Sequence, residues 1–405
     1  MLRRSHPRTA LAWLALAAME LGCARATSAP AHRLDAESYP AELRALAAEI
    51  QPIYAAYPDD ASVLYQLAAL QARAGRRNDA IATLHRMAAA ESGVDPRARD
   101  GFQSLVDDPE YRALVAAIRA ANPPVRRATV RHVLDEADLV PEGIAWSTQT
   151  RRLYLGSVKG KIITVAGDGT PTRFGPPGPD SLGIVGGLRV DDERGELWAA
   201  ASQHGRPAVY RFRLTTGERL GVYDMPYRIN DVAVAPDGMA YGTGTDSNAI
   251  ISIDRERAAQ IMVRGPSIGS PNGIAASRDR RFLFVATWHG IVRVDRQTRA
   301  TARLAQSRRI ASGCLDGLYL EREDRIIGVQ NCVHSTGRVL RFTLNAARDS
   351  IERADVLESY NPLFESITTA AVAGDTLFFV ANVQFRKMGT SNPFSPLQVL
   401  SLPLR

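Results

Sequence analysis

Five polar side chains stand where apolar strands should begin: Glu142, Asn230, Asp231, Asn272 and Asp316. They fall in the segments Glu142-Gly143-Ile144, Asn230-Asp231-Val232, Asn272-Gly273-Ile274 and Asp316-Gly317-Leu318, and Gly186-Gly187-Leu188 holds the corresponding place between the first two. The starts at 142, 186, 230, 272 and 316 are separated by 44, 44, 42 and 44 residues. Carboxylates joined by amide oxygens, with no cysteine and no obligatory histidine, form a hard oxygen donor set. Such a set suits Ca²⁺ or Mg²⁺ better than Zn²⁺, and the flexible coordination of calcium suits ligands drawn from separate segments. Any one Asn or Asp here is more simply an Asx-turn at a strand end. The set in phase favours the ion.

The elements that position these residues are short strands. After each start comes an inner strand, a turn such as Arg278-Asp279-Arg280, and a second strand such as Leu153-Tyr154-Leu155 or Phe282-Leu283-Phe284-Val285. A third strand follows, as in Ile291-Val292-Arg293-Val294-Asp295, and a sixth start lies near Thr368-Thr369. Four-stranded units at this period predict a mainly β protein, a six-bladed β-propeller over residues 128–405. The strand 128–133 precedes the first blade and lacks one of its own; it is expected to supply the outer strand of the last blade, leaving no free edge.

Inner strands of a propeller begin near one rim of the central channel, so the five polar residues should converge. Each second strand returns to that rim, which places His204, Asp246, His289, Asn331, His334, Asn382 and Gln384 there as well. An exposed histidine beside a metal can act as general base. His289, after Trp288 and one blade from Asp316, is the preferred candidate, with Asp316 as the alternative acceptor of a proton from water. Gly265-Pro266-Ser267-Ile268-Gly269 matches the nucleophile elbow in letters only, because it lies between strands rather than between a strand and a helix.

Residues 35–123 read differently. Asp60 precedes apolar residues at helical spacing through Leu70, Ala74-Gly75-Arg76 breaks the run, and Asn78–Leu84 opens a second helix. The pair resembles one tetratricopeptide-type unit, with flanking helices expected over 43–56 and 109–121. It would be either a module that binds a protein partner or a cap packed on the propeller. Asn122-Pro123-Pro124 marks the boundary.

The first 26 residues read as an export signal, with Arg3, Arg4 and Arg8 before an apolar run too short to span a bilayer. Cleavage is expected before Thr27, making the protein periplasmic or secreted; Cys23 offers lipid anchoring as an alternative. The formal charge of +7 includes four Arg and one Glu of that segment, so the remainder is nearer +4. No basic block suggests nucleic acid. Only Cys314 and Cys332 remain after cleavage, both near the same rim, where an oxidising compartment permits a disulfide.

Together and in this order, Pro141-Glu142-Gly143, Arg228-Ile229-Asn230-Asp231, Pro271-Asn272-Gly273 and Asp316-Gly317 resemble the gluconolactonase (senescence-marker-protein) family and, more distantly, paraoxonases. The resemblance covers roughly residues 138–405. It implies a divalent cation in the central tunnel, calcium first with magnesium, manganese or zinc as alternatives, ligated by Glu142, Asn272 and Asp316. Arg228 and Asn230 would face the substrate, a small lactone or ester opened by water. The segments between the blade starts diverge, and the helices lie outside what the smallest family members contain. A non-catalytic periplasmic scaffold, with a structural cation and a helical docking unit, is the competing expectation.

Overall fold

The structure, a computed structural model, describes residues 33–136, 139–175 and 182–405. The segment read as an export signal, with Cys23, lies outside the described residues.

Six antiparallel sheets follow one another along the chain. Their innermost strands are Pro141–Ser147, Ile184–Asp191, Val232–Val234, Ile274–Ala276, Leu315–Arg322 and Ala370–Ala373. Each inner strand touches the next, and the sixth touches the first, which closes a ring. Thr129–Leu134 pairs with Leu397–Pro403 as the outer strand of the sixth sheet, so the start of the propeller is tied to its end. The propeller and its closure are as the period predicted. The fifth blade also gains a short parallel strand, Ala305–Gln306, against Ser350–Ser359.

One apolar cluster lies between each adjacent pair of blades. Both faces of every blade are therefore covered, which explains why the strands read as near-continuous apolar runs rather than clean alternation. Around the channel, backbone groups link the inner strands directly. Gly187 N donates to Asn230 O (2.8 Å), Gly273 N to Asp316 O (2.7 Å) and Gly317 N to Thr368 O (2.9 Å). The Thr243 hydroxyl donates to Asn272 O and that of Thr369 to Glu142 O, each at 2.6 Å. The approach is too close for side chains: a Cβ on Gly273 would lie 2.5 Å from Asp316 O, and one on Gly143 2.3 Å from Gly186 O. Glycine after Glu142 and after Asn272 is thus a packing requirement.

Four helices precede the propeller: α1 (Ala41–Ala56), α2 (Ala61–Arg73), α3 (Arg77–Ala89) and α4 (Pro109–Ala121). Asp60 caps α2 by accepting from Ser62 N and Val63 N, and Asp108 caps α4 in the same way ahead of Pro109. Gly75, at φ +72°, turns the chain between α2 and α3. The helices are where the sequence placed them, but they do not make a separate repeat module. Ten of the thirteen residues of α2 are buried, which means it is sandwiched rather than one-faced. Its core continues into Ala311, Cys314 and Val333 of blade five. Helices and propeller form one compact unit.

Candidate active site in the propeller channel

At the rim where the inner strands begin, Glu142, Asn230, Asn272, Asp316 and Asn331 keep partial exposure among buried neighbours. Asn331 Nδ2 donates to Asp316 Oδ2 at 2.6 Å, and the nearby Asn272 amide also favours the charged carboxylate. Burial raises its pKa well above the ordinary carboxylate range, and the two amides offset only part of that rise. The carboxyl of Glu142 is pushed up likewise, first by burial, then by the charge of Asp316, with Arg228 opposing. Two carboxyls short of positive charge thus act on one another.

Asp231 belongs to the same ring but is already satisfied. Its carboxylate accepts from Val232 N (2.8 Å) and Ile274 N (3.2 Å) and pairs with Arg189 (3.3 Å). Arg189 also donates to the carbonyls of Val232 and Ile274 and lies over the Tyr319 ring. Asp231, Arg189 and Tyr319 form a plug that ties blades two to five together. Sequence reasoning gave no sign of Arg189, which sits in the middle of a strand with nothing to distinguish it from an exposed arginine.

Arg228 and Asn230 face a cavity of about 280 Å³ that Glu142 also lines. The Arg228 guanidinium is more than half exposed and loosely paired with Asp246 at 3.5 Å, so it is free to meet a ligand. The Glu142 side chain makes no hydrogen bond or ion pair among the described residues, although its backbone oxygen accepts from Thr368 and Thr369.

The loop histidines divide. His204 is exposed, whereas His334 and His289 are buried. The expectation of His289 as an exposed base is corrected: it retains 2% exposure, and neither ring nitrogen has a partner. Burial, then the charge of Arg303, lowers its pKa to about 4. The physical reason is the helical cap. Arg303 donates to His289 O at 2.7 Å, lies over the Tyr57 ring and pairs with Asp60 at the start of α2, so this rim is covered. Asn382 and Gln384 brace the loop to Pro396 and Ser395. Asn331, sited on the rim by the strand geometry but given no role, is the partner that Asp316 uses.

Cys314 and Cys332 are joined in a disulfide, their Cα atoms 5.5 Å apart. The bridge links the residues beside Asp316 and Asn331, and Gln66 of α2 donates to Cys314 Sγ at 3.1 Å.

Glu142, Asp316 and Asn272 offer hard oxygen donors, the kind a calcium-type cation takes. Glu142 and Asp316 supply charge that nothing else in the pocket balances except Arg228, and the Asn272 oxygen completes a carboxylate-rich set. Among the described residues, no group of three or more His, Cys, Asp or Glu side chains could hold a metal. Among them, too, no helix is long and apolar enough to cross a membrane.

No protein-family model and no curated protein matches the chain. Among solved structures it is similar to a gluconolactonase from Xanthomonas campestris, at 18% identity and a TM-score of 0.47, over 69% of this chain and 97% of that one. It is similar to virginiamycin B lyase from Staphylococcus aureus, at 18% identity and 0.45, over 62% and 81%. A Thermus glucose-dehydrogenase-like oxidoreductase gives 16% and 0.47, over 68% and 99%. Likenesses this distant bear on no residue's role; the six blades rest on the strand pairing itself.

Proposed function

We propose that the propeller is a divalent-metal-dependent hydrolase that opens a lactone or related ester in the cavity above Glu142. The reading is carried by one observation: Glu142, unpaired, stands beside the buried Asp316, with Arg228 and Asn230 lining the same cavity. Glu142, Asn272 and Asp316 would hold the ion. A bound calcium-type cation would polarise the substrate carbonyl and stabilise the developing oxyanion.

The chain's own residues do the rest. Arg228 and Asn230 orient the substrate's oxygens by hydrogen bonds from the open side. Asp316, held by Asn331, is placed to take a proton from water. Asp231, already paired with Arg189, adds its charge to the rise at both Glu142 and Asp316.

A screen of lactones and aryl esters tests the reading, with activity compared before and after chelation and calcium return. Calcium-restored turnover that is absent from Asp316→Asn supports it; no turnover by any preparation opposes it. A scaffold role has one observation in its favour, the docking of the helices on blades four and five. That docking, however, uses their buried face, and none of the helices lines the cavity formed by blades one to three and the loop of blade six.

A further inference from the structure

The cavity that holds the polar site is mixed in character. Its lining joins the polar Glu142, Arg228 and Asn230 to the apolar Val158, Ile184, Ile229, Phe385 and Met388. Ile184 and Met388 are 48% and 41% exposed, which puts two of the few large exposed apolar side chains of the described residues at the mouth of one pocket. Exposed apolar groups gathered at a polar site mark where the apolar part of a ligand rests. Ser202 is the one hydroxyl side chain of that lining. A polyhydroxylated ring would meet a wall that leaves most of its hydroxyls unpaired, and unpaired buried polar groups are costly. The volume, about 280 Å³, suits a single ring with a short chain rather than a polymer.

From this we infer that the substrate is an alkyl-substituted lactone or ester, its carbonyl at Glu142 and Arg228 and its hydrocarbon chain against Ile184 and Met388. The carbonyl end rests on the hydrolase reading; the apolar wall stands without it. Specificity then comes from chain burial. Each added methylene should raise kcat/KM about fourfold until the wall is covered, the ratio that ~0.8 kcal/mol per buried methylene gives.

The test uses γ-lactones with side chains from none to six carbons, together with gluconolactone, on the full chain with calcium. The corresponding γ-lactams, which resist hydrolysis, are titrated calorimetrically alongside. Ile184→Asn and Met388→Ser, both at exposed positions, are measured in parallel. The expected result is a rise with chain length in both kcat/KM and lactam affinity, with the slope flattened in each variant. A flat series, or preference for gluconolactone, overturns the inference. If no lactone is turned over but lactam affinity still rises with chain length, the hydrolase reading fails while the apolar-ligand inference stands. No chain-length dependence in lactam binding sinks the inference whatever the activity.

Discussion

The two sides of the channel are built differently. On blades four and five, α2 and the loop after α3 press on the rim. Asp60 pairs with Arg303 and accepts from Gln306, Ser62 Oγ accepts from Gly313 N, and the fully buried Asp95 takes Arg119 and Tyr360. The disulfide lies within this patch. On blades one to three the rim carries no such cover, and Glu142, Arg228 and Asn230 open onto the cavity. The covered side supplies Asp316, Asn272 and Asn331, which in the proposed hydrolase would hold a fixed geometry. The open side supplies the groups that must meet a changing ligand. Rigid support behind the reacting groups, with mobility kept for recognition, is the arrangement a preorganised site requires.

This contrast can be broken from the covered side first. Asp316→Asn should leave the fold intact by circular dichroism and lower kcat by about 10²- to 10⁴-fold, the usual worth of a positioned general base. Asp60→Ala removes the cap of α2 and strands the buried Arg303 guanidinium. Denaturant unfolding should show a loss of about 3–5 kcal/mol, the cost of breaking one partner of a buried pair. Should Asp60→Ala cost less than about 1 kcal/mol, the helices are an appendage and the covered side is not a clamp.

Reduction of Cys314–Cys332 opens a loop of 18-residue separation. Loss of the cross-link should lower stability by about 3 kcal/mol and lower kcat more than it raises KM, because the bridge flanks Asp316 rather than the substrate-facing residues. An equal change in KM alone would place the effect on the open side.

The charge pair predicts a pH response. Glu142 and Asp316 have folded-state pKa values raised above their unfolded ones. The stability they contribute in the metal-free protein is therefore full below about pH 4 and is lost as pH rises through their raised values. The thermal midpoint of chelated protein should fall between pH 5 and pH 8 (~ranges set by these carboxyls), and calcium should remove much of that fall. In Glu142→Gln the slope should be shallower. A midpoint insensitive to pH would mean that the carboxyls are not short of counter-charge.

The smallest effect belongs to the open side. Arg228→Ala should change stability by less than about 0.5 kcal/mol, as for an exposed, loosely paired side chain, while raising KM.

The six blades were legible in the sequence because a period of about 44 residues repeats along it, and the glycines after Glu142, Asn272 and Asp316 reflect the same close approach at blades one, four and five. Convergence of the polar residues followed from that period. What it did not carry is which of them are already paired. Asp231 looks like Asp316 in sequence, yet Arg189 satisfies one and leaves the other to the pocket. His289 was misjudged for a related reason: loop position gives the rim, but only the docked helices decide whether that rim is wet. For the helices the sequence left a partner-binding module and a cap on the propeller both open, since the apolar face of α2 does not name what it packs against; the packing on blade five is that of the cap.

The central claim, that Glu142 and Asp316 form the core of a cation site, is tested most directly by calorimetric titration of calcium into chelated protein, wild type against Glu142→Gln. One ion per chain, bound more tightly as pH rises and lost in the variant, is the expected result. No binding of calcium, magnesium, manganese or zinc to the wild-type protein, or equal binding to the variant, would contradict it.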